Sequence, residues 1–229
     1  MEFFQNSVFF AVGITLITYL MGTWLKKKFK LAIFNPLLIS AALIIVIILA
    51  FRIDYKAYEE GAKYINFLLA PSTVALAVPL YEQIEPLRKN WLAILLGILA
   101  GALTSAACVL VLAVLFGLSH GQYVTLLPKS ITTAIGMGIS EELGGIVSIT
   151  VAVIAITGVL GNMLADTFCK VFHITEPIAK GIGIGSCSHA MGTARAMELG
   201  EVEGAMSSLS IAVSGVMTVF IAALFAKFY

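Results

Sequence analysis

Charge is what this chain has least of. Its 229 residues include 14 basic and 13 acidic side chains, 12% of the total, against about 25% in a soluble domain. Hydrophobic residues make up 60% and the mean hydropathy is +1.01. A chain of this size with so few polar side chains has too little to cover its own surface in water. That excludes a soluble enzyme, a nucleic-acid binder and a disordered protein. Cysteine is scarce too: Cys108, Cys169 and Cys187 stand far apart with no CxxC spacing, so neither a disulfide framework nor a zinc site is expected. A basic N-terminal segment and a small-residue cleavage site are missing; the chain opens on Glu2. The first apolar run is therefore expected in the mature protein rather than in a cleaved signal. Period-two alternation is absent, which argues against an outer-membrane barrel. An all-α polytopic membrane protein remains, with residues 1–229 as one transmembrane domain.

The few charges leave long windows without any, at 3–25, 31–51, 64–81, 90–128, 143–165 and 204–226. A helix needs about 20 apolar residues to cross a bilayer, so five windows suit one span each. Window 90–128 is too long for one helix and marginal for two; its span is expected from Trp91 to near Gly117. Lys26, Lys27, Lys28 and Lys30 directly follow the first window. Basic loops stay cytoplasmic, which puts the N-terminus outside. Arg88, Lys89, Lys170 and Lys180 then also fall inside. A multi-pass protein of a plasma membrane is expected.

Two segments do not read as ordinary spans. Stretch 122–146 has Pro128, Lys129, Gly136, Gly138, Gly144 and Gly145, and stretch 181–195 has Gly181, Gly183, Gly185 and Gly192 with His189 and Arg195. A lysine at mid-membrane costs about 2.5–3.5 kcal/mol on insertion scales, and broken backbone at that depth needs protein or water around it. Both are expected as interrupted or re-entrant segments, beside about six ordinary spans. Segments 68–83 and 126–142 also resemble each other: Leu-Leu, then Pro and Ser, ending at Glu82-Gln83 and Glu141-Glu142. An internal repeat with halves at about 31–118 and 119–229 is expected, and interrupted segments at matching places point to a transporter's binding site.

Lys129 and Arg195 are the two cations in apolar, glycine-rich surroundings. An intramembrane cation is by default a functional candidate, with snorkelling of Lys129 and a hairpin-ending pair of Arg195 with Glu198 as the structural alternatives. Hydroxyls crowd both: Ser130, Thr132 and Thr133 near the first, Ser186, Ser188 and Thr193 near the second. Ser72 and Thr73 match Ser130 in the repeat. His189 is a candidate proton relay or a packing residue, Glu141 (beside Glu142) a coupling carboxylate or a solvated loop residue, and Asn162 a ligand or an interhelical hydrogen bonder. Neither GxSxG nor HExxH occurs, so no enzyme activity is expected.

The runs Asn35-Pro36-Leu37-Leu38, Leu69-Ala70-Pro71-Ser72-Thr73, Pro128-Lys129-Ser130-Ile131-Thr132-Thr133 and Gly185-Ser186-Cys187-Ser188-His189-Ala190-Met191-Gly192-Thr193-Ala194-Arg195 resemble the LrgB/CidB family over nearly the whole chain. No fused LrgA/CidA-type domain is present, so the resemblance implies a separate, small LrgA-like membrane partner. It also implies, by analogy, an elevator-like transporter architecture. The family is described in two ways: as antiholin-like regulators of murein hydrolase export and autolysis, and as carriers of glycolate, glycerate and pyruvate. A pore or regulator needs no cations on broken, hydroxyl-rich segments, whereas a carboxylate site does. The expected function is accordingly a proton-coupled secondary transporter of small monocarboxylates, working without a cofactor, with the regulator as the alternative. A homodimer is expected, without a located interface.

Overall fold

The computed structural model describes residues 8–29 and 34–229, without the side chains of Val8 and Thr73. Glu2, the start of the expected span 3–25, Lys30 and the first residues of window 31–51 lie outside the described residues. Among the described residues every regular element is helical: α1 (Val8–Phe29), α2 (Pro36–Ala50), α3 (Tyr55–Asn66), α4 (Leu69–Ala75), α5 (Ala77–Glu82), α6 (Ile84–Phe116), α7 (His120–Leu126), α8 (Thr133–Glu142), α9 (Val147–Val171), α10 (Pro177–Leu199) and α11 (Glu201–Phe225), followed by a short 3-10 turn. Among the described residues, five stretches are long and apolar enough to cross a bilayer: Phe9–Phe29, Tyr55–Glu82, Ile84–Phe116, Val147–Val171 and Glu201–Phe228; α2 is a shorter apolar helix. The chain is an all-helical, multi-pass membrane protein.

The expected span 64–81 is not one helix. It is cut into the end of α3, α4 and α5, with Pro71 and Pro79 each in the first turn of a new piece. A proline cannot supply the N–H that would continue the preceding helix. Window 90–128 holds one long helix, α6, which kinks at Asn90 (φ −115°) and ends at Gly117 in the left-handed region (φ 59°). Glycine adopts that cap without a Cβ penalty. Ser119 and Gln122 then form a capping box that starts α7.

The chain divides into two compact units, Met1–Ala75 and Leu76–Tyr229. In the first, Asn35 caps α2 by accepting from Leu37 N–H (2.9 Å), with Pro36 opening the helix. The hydroxyls of Thr18 and Ser40 meet at 2.9 Å between α1 and α2, and Thr15 reaches Tyr58 of α3 at 2.9 Å. A Cβ on Gly22 would run into the Pro36 backbone, so only glycine permits this approach.

The second unit packs around one stripe of α6: Ile94, Ile98, Ala102, Ala106, Val109 and Ala113. Spacings of three and four put these on one helix face. The N-terminal part of the stripe meets Ile182, Ala205 and Met206; the C-terminal part meets Tyr123, Leu127, Ile131, Ile139 and Ile221. Without a hydrophobic drive between helices in lipid, close contact and hydrogen bonds hold such a bundle together. Gly181 and Gly185 of α10 lie against the backbone of Glu203 and Ser207 in α11. Stretch 122–146 is interrupted as expected: α7 and α8 are joined through a turn at Leu127–Thr132. A hydroxyl knot ties that hairpin to α9, the Thr150 hydroxyl lying 2.7 Å from Ser140 Oγ and 3.0 Å from the Thr125 carbonyl.

Candidate functional site

The residues singled out in the second unit separate into three places. The first is a cavity of about 720 Å³ between α6 and the first half of α10, a size typical of small-ligand pockets. Lys129, in the α7–α8 turn, reaches it together with Ser130 and Ser186. The Lys129 ammonium donates to Ser130 Oγ (3.0 Å), and Ser130 meets Ser105 at 3.3 Å. Lys129 makes no ion pair among the described residues. Asn90 and Ser105 of α6 also line the cavity. Both lay within an apolar window where single polar residues gave no sequence signal.

The second place is a break inside α10. His189 has φ 43° and ψ −141°, well outside helical geometry, and is 5% exposed. Side chains bond to carbonyls at and just after the break. Thr193 Oγ1 donates to the His189 carbonyl (3.0 Å) and meets Ser207 Oγ at 2.7 Å; Asn162 of α9 donates to the Met191 carbonyl (2.6 Å). His189 Nε2 lies 3.1 Å from the Ile154 carbonyl. Two glycines on α9 make room: a Cβ on Gly158 would strike the His189 ring, and one on Gly161 would overlap the Ser188 side chain. Stretch 181–195 is interrupted as expected, but by His189 rather than by its glycines. Gly181 and Gly185 instead serve the close contact with α11.

The third place is a charge cluster. Arg195 forms a fork with both carboxylate oxygens of Asp166, Nε reaching Oδ1 at 3.1 Å, and its remaining nitrogen meets Glu198. A guanidinium held bidentately by one carboxylate and by a second beside it is already neutralised. Asp166 had marked only the end of a charge-free window, and 29 residues separate it from Arg195. The structure therefore does not bring Arg195 to the cavity of Lys129.

The remaining candidates stand apart from these places. Thr132 precedes α8 as its cap without a side-chain cap bond, and Thr133 opens the helix; neither lines the cavity. Glu141 and Glu142 are exposed at the end of α8. Ser72 is exposed in α4 and donates to the Leu68 carbonyl (2.7 Å), whereas the Thr73 side chain lies outside the description.

A model of the LrgB-like family matches residues 15–228. Curated relatives from Bacillus mycoides (strain KBAB4), Bacillus cereus (strain B4264) and Bacillus anthracis (strain CDC 684 / NRRL 3495) are each 38% identical over 221 residues, 96% of this chain and 96% of theirs, and each is named antiholin-like protein LrgB. No solved structure matches. The relatives' shared name overturns the expectation of a monocarboxylate carrier and favours the antiholin-like alternative. That expectation took intramembrane cations to mean an anion site, and Arg195 shows that a partner distant in sequence can satisfy such a charge. By a match along nearly its whole length, the chain belongs to the LrgB-like family.

Proposed function

We propose that this chain is an antiholin-like protein of the bacterial plasma membrane that restrains murein hydrolase export and autolysis. The observation that carries the reading is its 38% identity, over 96% of both chains, to relatives named antiholin-like protein LrgB. The second unit suits the role. Its Arg195 is neutralised within the fold, and among the described residues no buried side-chain nitrogen or oxygen lacks a hydrogen-bond partner. Such a body sits stably in a bilayer and acts on a neighbour rather than opening a pore of its own. A separate LrgA-like membrane protein is the proposed neighbour, the chain itself acting as a homodimer with its N-terminus outside, as Lys26–Lys28 at the end of α1 favour. No catalytic step and no cofactor enter this reading.

The test is a deletion strain and its complement. Detergent-induced lysis followed by turbidity, with zymograms of secreted murein hydrolase, should show faster lysis and more hydrolase in the deletion. Complementation with this chain should restore both. Equal lysis and equal hydrolase in wild type and deletion would overturn the proposal.

A further inference from the structure

A second cavity, of about 390 Å³, lies on the other side of α10, against α9. Its walls are almost wholly apolar: Leu160, Leu164 and Phe168 from α9, with Ile174 and Ile184 facing them. The α9 leucines and Phe168 are about half exposed, so the chain itself does not close the groove. Gly183 lines the groove, and a Cβ there would meet nothing within 4 Å.

The groove has a direction and a length. It follows α9 from Thr157 to Cys169, roughly 18 Å of helix. One leaflet is half of the about 30 Å hydrocarbon core. The inner end lies by Gly161, Ser188 and Lys129, whose ammonium bonds Ser130. The outer end, where α9 finishes, is marked by Cys169, Ile174 and Lys180.

The charged side chain that lines this end of the groove is a cation, Lys180. Lys180 sits in the first turn of the 23-residue α10, where the helix's own N–H groups already favour an anion over a cation. Its carboxylate partner, Glu203 Oε1, is 3.8 Å away, at the limit of an ion pair. Lys170 occupies the last turn of α9 and His173 follows it; Glu176 and Glu203 are the opposing carboxylates, while Asp166 is taken by Arg195.

We propose that the groove between α9 and the first half of α10 holds one acyl chain of an anionic phospholipid, with its phosphate at Lys180. Leaflet length and apolar walls select a lipid chain, and the cation at the outer end selects an anionic headgroup over a zwitterionic one. The site is independent of the antiholin-like reading, because it concerns what stabilises this unit in the bilayer.

Native mass spectrometry of the full chain in neutral detergent tests it, with phosphatidylglycerol and phosphatidylcholine of identical acyl chains, and glycerol 3-phosphate as a headgroup without a chain. Phosphatidylglycerol should be retained one per chain and several-fold over phosphatidylcholine, and glycerol 3-phosphate not at all. Lys180→Gln should reduce retention to the phosphatidylcholine level. Gly183→Phe and Leu164→Trp, filling the groove from opposite walls, should each abolish it, while Gly183→Ala keeps it. Equal retention of both phospholipids, or full retention in Lys180→Gln or in both filling variants, would overturn the proposal.

Discussion

The side-chain amide of Asn162 donates to the Met191 carbonyl at 2.6 Å, two residues beyond the point where α10 loses its helical geometry. An amide from the neighbouring helix thus ties α9 to the second half of α10. Asn162→Leu keeps the bulk and loses this interhelical hydrogen bond. A loss of about 0.5–1.5 kcal/mol is expected, read as a lower Tm of the purified chain in detergent. An unchanged Tm would mean that this bond does not hold α9 to α10.

His189 holds a backbone conformation that side-chain-bearing residues rarely adopt, at a typical cost of about 1–3 kcal/mol. Two substitutions separate that strain from the ring's contact with Ile154. Both His189→Ala and His189→Gly lose the contact, and only glycine removes the strain. His189→Gly should therefore be more stable than His189→Ala, the reverse of the order for a residue inside a regular helix. Chemical denaturation of the two variants in the same detergent gives the comparison.

Arg195 and Asp166 hold α10 to α9 through a fork whose two side chains are 25% and 29% exposed. Exposed pairs are worth about 0.2–1 kcal/mol, and breaking buried ones costs about 3–5. Arg195→Ala is expected between these limits, near 2 kcal/mol. A double-mutant cycle with Asp166→Ala should show coupling of at least about 0.5 kcal/mol. Arg195→Lys should recover only part, since an ammonium cannot form the fork. Additive single effects would place the pair's contribution elsewhere.

Lys129 should behave oppositely. Its ammonium bonds a serine hydroxyl and no carboxylate among the described residues, so its removal strands no counter-charge. Lys129→Met is expected to hold or raise Tm, because a lysine at membrane depth is itself unfavourable by about 2.5–3.5 kcal/mol on insertion scales. A clear drop in Tm would show that Lys129 is a structural cation.

Local chemistry was the legible part of this fold. Pro128, the glycines after it and Lys129 announced an interrupted segment, because proline and glycine act on the backbone where they stand. Pro36, which opens α2 after the Asn35 cap, acts in the same local way. The break at His189 was not legible at its position, since nothing in a histidine's covalent structure ends a helix; the room left by Gly158 and Gly161, about thirty residues earlier, permits it. The pairing of Arg195 with Asp166 was hidden likewise. A charge at the edge of a span looks the same whether it faces water or a partner, and reading Arg195 as an open anion ligand helped to suggest the wrong function.

The kink at Asn90 sets how the longest helix answers to the thickness of its surroundings. Before it lie Glu85, Arg88 and Lys89; after it, Trp91 through Phe116 run without a charge. Those twenty-six residues measure roughly 39 Å, more than the about 30 Å of hydrocarbon they cross. The excess is taken up as tilt, and the kink lets the charged turn stay at the interface while the rest leans. The stripe from Ile94 to Ala113 leans with it, carrying its contacts to α11. A thinner membrane steepens the lean, so bilayer thickness becomes a force on the packing of the second unit.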